Sequence, residues 1–201
     1  MQIDTEHLHH WMNAIRLSNN PMRTLDAFWQ GQVKSKEWLI KELESIIGEE
    51  SVTIEIHGGW VGTLASMMFQ SKLNVKSIRS VDIDPYVQHI SVEMNRIEYN
   101  QGRFESITGD MTQLKNYNAD IVINTSTEHI TQEQYDEWLN NAPQNSMIVT
   151  QGNNYQIPEH IRISKDIHEF EKQCHLTRKY MGTLNLPMYD RYMIIGYKNG
   201  Q

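Results

Sequence analysis

An α/β fold is predicted: a doubly wound, mostly parallel seven-stranded sheet, plus an N-terminal helical cap. Three observations predict it. From Val52 onward, strand-like and helix-like stretches alternate along the chain, the order that yields a parallel sheet with helices on both faces. The run Ile121-Val122-Ile123 is apolar without alternation, as strands buried on both faces are. Before Val52 the apolar residues recur only with helical spacing. Residues 1–50 are therefore read as a helical cap belonging to the same domain, and residues 51–201 as the sheet-bearing part.

The elements follow in order. Leu8, Trp11, Met12 and Ile15 recur at i, i+3, i+4 and i+7, one face of a helix. Asp4 or Thr5 supplies its N-cap, and Pro21 stops it. Leu25, Phe28 and Trp29 suggest a short second helix. Ser35 caps a third that carries Trp38, Leu39, Leu43, Ile46 and Ile47 and stops at Gly48. Strand 1 is Val52–Ile56, followed by His57-Gly58-Gly59-Trp60-Val61-Gly62 and a helix over 63–71. Strand 2 is Ser77–Asp82, with a helix from Pro85 to Tyr99. Pro85 suits the first turn of that helix. Strand 3 is Arg103–Thr108, strand 4 Ala119–Thr125 and strand 5 Ser146–Gln151. Helices fall at 131–140 and 164–173, and two last strands near 176–184 and 189–197.

Composition narrows the function classes. In 201 residues, Lys+Arg number 18 against Asp+Glu 25, a net charge of −7. That balance weighs against a nucleic-acid binder, whose affinity comes from neutralising phosphates. One cysteine excludes an internal disulfide framework and a multi-cysteine zinc site. No H-E-x-x-H or similar paired-ligand spacing occurs among the nine histidines, so no metal site is assigned. Met1-Gln2-Ile3-Asp4 lacks an apolar signal-peptide region, and no stretch approaches the ~18 apolar residues of a membrane span. The expectation is a cytoplasmic protein with no membrane association.

In such a sheet, ligands bind beyond the carboxyl ends of the strands. Gly58 and Gly59 follow strand 1, where glycine permits a tight turn and close backbone approach to a ligand. Asp82 ends strand 2; its carboxylate can accept from two ribose hydroxyls, whereas Asp84, directly before Pro85, reads as a helix cap. After strand 3, Asp110 and Met111 suit an adenine edge and face, or else an Asx turn. After strand 4 comes a polar run, Asn124-Thr125-Ser126-Thr127-Glu128-His129. Asn124 suits a zwitterionic ligand or an amine, and Thr125 and Ser126 a polar substrate. Glu128 and His129 are the acid/base candidates, or a polar helix start. Gln32 and Lys36 are candidates for a cofactor carboxylate or an acidic substrate, unless 29–36 is simply a surface loop. Asn153 and Tyr155, after strand 5, are further substrate-side candidates.

At these points the sequence resembles the class I S-adenosylmethionine (SAM)-dependent methyltransferases. Ile54-Glu55-Ile56-His57-Gly58-Gly59 resembles the first motif, with His57 in the place of its first glycine and Val61 or Gly62 in that of its third. Val81-Asp82-Ile83-Asp84-Pro85, Thr108-Gly109-Asp110-Met111 and Asp120-Ile121-Val122-Ile123-Asn124 resemble the next three, and 189–196 the last antiparallel strand. The resemblance implies SAM as cofactor, with Glu55 near the methionine amino group, Asp82 on the ribose, and Asp110 and Met111 at the adenine. His57, Gly58, Gly59, Trp60 and Asn124 complete the implied cofactor set. The amino-methyltransferase signature Asn-Pro-Pro-Tyr is absent after strand 4, which argues against base methylation. The expected acceptor is a small polar molecule. The alternatives are another SAM enzyme, by aminocarboxypropyl transfer or sulfonium lysis, or a catalytically silent binding module.

Overall fold

The computed structural model describes residues 4–115 and 117–199; Met1, Gln2 and Ile3, read above for a signal peptide, lie outside them. The strands are β1 (Ser51–His57), β2 (Asn74–Asp82), β3 (Phe104–Thr108), β4 (Ile121–Asn124), β5 (Met147–Asn153), β6 (Leu176–Asn185) and β7 (Asp190–Lys198). They form one sheet in the order β3-β2-β1-β4-β5-β7-β6. Pairs β1/β2, β2/β3 and β4/β5 are parallel, and β7 runs antiparallel to both β5 and β6. The helices are α1 (Thr5–Leu17), α2 (Pro21–Leu25), α3 (Gln30–Ile47), α4 (Thr63–Phe69), α5 (Pro85–Met94), α6 (Arg96–Asn100), α7 (Gln132–Asn141) and α8 (Ile167–Cys174), and they lie on both sides of the sheet. This is the fold class expected from the sequence. Among the described residues, no helix is long and apolar enough to cross a membrane. The chain forms two compact units that meet in sequence between Gly109 and Asp110.

In the first unit, Asp4 caps α1 by accepting from Glu6 N–H. The buried stripe of α1 differs from the expected one. Trp11 and Ala14 are buried, while Leu8 and Met12 are about half exposed. His7 and His10 turn inward instead, within hydrogen-bonding distance of Glu98 and Glu93. A periodicity argument assumes an apolar partner surface; here part of the partner surface is two carboxylates. Trp11 Nε1 donates to Ser66 Oγ of α4 at 2.8 Å, which satisfies the indole where it is buried. The second helix is α2, begun by Pro21 with Asn20 as cap and followed by a 3-10 turn, Asp26–Phe28. α3 starts at Gln30 rather than Ser35, so Gln32 and Lys36 sit one turn apart on a helix and not on a loop.

The helix expected over 85–99 is broken at Asn95. Asn95 is fully buried and its amide donates to Gly62 O and Ser91 O. Such side-chain-to-backbone bonds compete with the helical ladder.

The second unit has its own core, in which Tyr135, Trp138, Ile148, Phe170 and Ile194 are buried together. α7 begins with a reciprocal capping box between Thr131 and Gln134. Cys174 is buried, and burial pushes its thiol up to about 12. It is a packed side chain and no nucleophile.

Candidate functional site

In the first unit, the turn between β1 and α4 is held open by three left-handed residues: Gly58 at φ 66°, Trp60 at φ 48° and Gly62 at φ 79°. Gly62 occupies the N-cap of α4. At Gly59 the requirement is space: an added Cβ would lie 1.9 Å from Ser80 Oγ. Asp82 at the end of β2 clamps this turn. One of its carboxylate oxygens accepts from Trp60 N–H at 2.8 Å and the other from Asp84 N–H at 3.0 Å. Asp84 caps α5 by accepting from Tyr86 N–H and pairs with Arg23. That hydrogen bond, reinforced by Tyr86 N–H, holds the Asp84 carboxyl below its ordinary value. A cleft of about 280 Å³ opens here, lined by Asn20, Arg23, Trp60, Tyr86 and Ile90 among others.

Glu55 and His57 are buried beneath the same turn. Arg79 Nε donates to both oxygens of Glu55 (3.0 and 2.7 Å), and His57 Nε2 lies 3.2 Å from Oε1. Burial of a carboxylate requires such pairing, and it leaves Glu55 engaged within the protein. Lys36 is also buried, with Nζ donating to Gln32 Oε1 at 2.8 Å.

In the second unit, Asp110, Met111 and Asn124 come together. Asp110 Oδ1 accepts from the backbone N–H and hydroxyl of Thr112, an Asx turn. Asn124 is fully buried; its amide donates to Met111 Sδ at 3.3 Å and its oxygen accepts from Ser126 N–H.

Glu128 is buried rather than presented on a surface. Its Oε1 accepts from Arg191 Nη1 at 2.5 Å and from Asn153 Nδ2 at 2.8 Å. Arg191 also donates to the Thr125 carbonyl. Asn153 Oδ1 accepts from Tyr155 N–H, and the Tyr155 ring stacks on Tyr189 with centroids 5.2 Å apart. His129 is exposed, with Nδ1 3.0 Å from the Glu159 carbonyl. Thr125, Ser126, Glu128, His129, Asn153 and Tyr155 thus belong to one neighbourhood of this unit, whereas Gln32 and Lys36 belong to the first unit.

No family model and no curated protein matches the chain. Solved structures do. MtNAS in complex with MTA and tNA aligns with a TM-score of 0.63 at 13% identity, over 96% of this chain and 70% of that one. The pyocyanin biosynthetic protein PhzM aligns with a TM-score of 0.66 at 13% identity, over 94% and 62%. Magnesium protoporphyrin IX methyltransferase (ChlM) from Synechocystis PCC 6803, with bound SAH, aligns with a TM-score of 0.64 at 12% identity, over 83% and 82%. This is the class I methyltransferase fold. At such identity the likeness extends to the fold and no further.

Three residues of this methyltransferase-fold chain received no role from the sequence. Arg191 stood only as part of the last strand, though a cation leading into the apolar run Tyr192-Met193-Ile194-Ile195 was a usable signal. His160 forms with Glu159 a single Glu-His pair without ligand spacing, so the sequence assigns it no metal. Arg79 lies mid-strand and declares itself only through its pairing with Glu55 on the neighbouring strand.

Proposed function

We propose that the protein is a SAM-dependent methyltransferase acting on a small polar molecule in the cytoplasm, with residues 1–50 serving as a cap on the 51–201 SAM-binding part. The observation that carries this reading is Asp82. It stands at the end of β2 and locks the glycine turn through Trp60 N–H, in the fold of proteins crystallised with SAM, SAH and MTA. Asp82 takes the ribose, Gly58, Gly59 and Trp60 the backbone approach, and Asp110, Met111 and Asn124 the adenine side. Glu55 and His57 act beneath the turn as a paired support for the methionine end. Thr125, Ser126, Asn153 and Tyr155 serve the acceptor, as do Gln32 and Lys36.

In-line methyl transfer asks the enzyme mainly for alignment and exclusion of water. An acceptor that must lose a proton needs a base as well. His129 is that base: its Nδ1 must carry the proton, because the Glu159 carbonyl only accepts, so its Nε2 holds the lone pair. Glu128, committed to Arg191 and Asn153, orients this corner. The net charge of −7 supports an acceptor other than a nucleic acid.

Calorimetric titration with SAM and SAH tests the reading. Asp82→Ala should weaken binding by about 1.5–3 kcal/mol, the range for a hydrogen bond to a charged group; binding of neither ligand to the native chain sinks the proposal. A second reading, transfer of the aminocarboxypropyl arm, is favoured by the likeness to MtNAS with MTA. Mass spectrometry separates the two, since methyl transfer leaves SAH and arm transfer leaves methylthioadenosine.

A further inference from the structure

Glu128, His129 and His160 each offer one ligand atom, and the three atoms lie within 4.8 Å of one another. The chain brings them together by backbone pairing. Ile161 N–H and Arg162 N–H both donate to the Glu128 carbonyl, at 2.8 and 3.1 Å, which draws the loop carrying His160 alongside residues 127–129.

The two imidazoles are prepared in the same way. His129 Nδ1 lies 3.0 Å from the Glu159 carbonyl and His160 Nδ1 2.8 Å from the Tyr155 carbonyl. A carbonyl oxygen only accepts, so each Nδ1 is the donor and each neutral ring keeps its lone pair on Nε2. A ring N–H fixed on a carbonyl is the outer-shell arrangement that orients metal-ligating histidines. The carboxylate is prepared too. Glu128 is 4% exposed, its Oε1 is held by Arg191 and Asn153, and its buried Oε2 has no hydrogen-bond partner. A buried carboxylate oxygen left unpaired is destabilising, and a cation removes that cost.

We propose that Glu128, His129 and His160 form a binding site for a borderline divalent metal ion of the zinc or ferrous class. Two imidazoles and one carboxylate suit such ions, whereas magnesium and calcium favour all-oxygen surroundings. Ligand bonds of about 2.0–2.2 Å place tetrahedral donor atoms about 3.3–3.6 Å apart, so the three groups close on the ion by at most about 1.2–1.5 Å. The exposed ring of His129 has the freedom to make that movement. Three protein ligands leave at least one position open, where an oxygen or nitrogen of the acceptor would sit. The Nε2 lone pair of His129 serves one role at a time: base in the metal-free chain, ligand once the ion is bound. The site does not depend on which bond of SAM breaks, or on SAM being bound.

The test is direct binding of Co²⁺, followed by its visible absorption, to chelator-stripped protein without SAM, with Zn²⁺ as competitor and Mg²⁺ as counter-probe. One Co²⁺ should bind per chain and be displaced by Zn²⁺ but not by Mg²⁺. His160→Ala and, separately, His129→Ala should each lower affinity by at least about 10-fold, the smaller loss seen even for an outer-shell partner. His175→Ala, whose ring pairs with Asp136 instead, should leave binding unchanged. Because His129 is exposed, its variant keeps the test valid if His160→Ala folds poorly. Equal Co²⁺ affinity in the native chain and His129→Ala, or no stoichiometric binding, overturns the proposal. SAM affinity measured in the stripped protein tests the transferase reading alone, so the two failures are distinguishable.

Discussion

Arg191→Met separates a buried ion pair from a surface one. The side chains of Arg191 and Glu128 are 6% and 5% exposed, and the guanidinium donates to Glu128 Oε1 and the Thr125 carbonyl. Removing the cation leaves a buried carboxylate with Asn153 as its remaining donor. Breaking one side of such a pair costs about 3–5 kcal/mol, because the other charge stays buried and uncompensated. Unfolding entropy of about 2.1 cal/mol/K per residue over 201 residues comes to about 0.42 kcal/mol/K. The expected fall in Tm is therefore about 7–12 °C. The assay is thermal and urea unfolding, in chelator, of the native chain, Arg191→Met and the double variant Glu128→Gln/Arg191→Met. The double variant should be more stable than Arg191→Met alone, since it buries no unpaired charge. A loss below about 1 kcal/mol for Arg191→Met, the size of an exposed pair, refutes the reasoning. So does a double variant no better than the single one.

Two further outcomes are expected in the first unit. Gly59→Ala drives a Cβ to 1.9 Å from Ser80 Oγ and should cost about 1–3 kcal/mol by overpacking; Gly59→Ala/Ser80→Ala should recover most of it in urea unfolding, and a double variant as unstable as the single one contradicts the steric account. The carboxyls of Asp84 and Glu93 are both held below their ordinary values. For Asp84 the Arg23 hydrogen bond is the main cause; for Glu93 burial acts upward, but hydrogen bonds from His10 and Arg96 outweigh it. A carboxyl lowered by folding stabilises above its unfolded pKa and loses that contribution as pH falls through the folded value. The urea midpoint should therefore decline on acidification below about pH 4.5, with a shallower decline in Glu93→Gln; an unchanged acid limb in that variant removes Glu93 from the account.

Most of the architecture was legible from local pattern. Alternating strand and helix periods dictate a parallel sheet, and Gly58 and Gly59 mark a tight turn after β1. These features depend on each residue's own backbone preference and on near neighbours, so a linear reading finds them. The inward face of α1 was not legible, because it is set by Glu93 and Glu98 more than eighty residues away. The start of α3 was missed because Ser35, a good cap in isolation, lies inside a helix whose buried side packs it away.

The polar run after β4 shows the division most clearly. The sequence by itself determined that Asn124 to His129 follow a buried strand at the end of the sheet where ligands bind. Only the tertiary structure decided what the run does there. It delivers Arg191 from 63 residues away onto Glu128 and lays the 159–162 loop across the Glu128 carbonyl and the His129 ring. The physical reason is that a buried carboxylate needs donors whatever their position in the chain, and a distant strand and loop are what supply them.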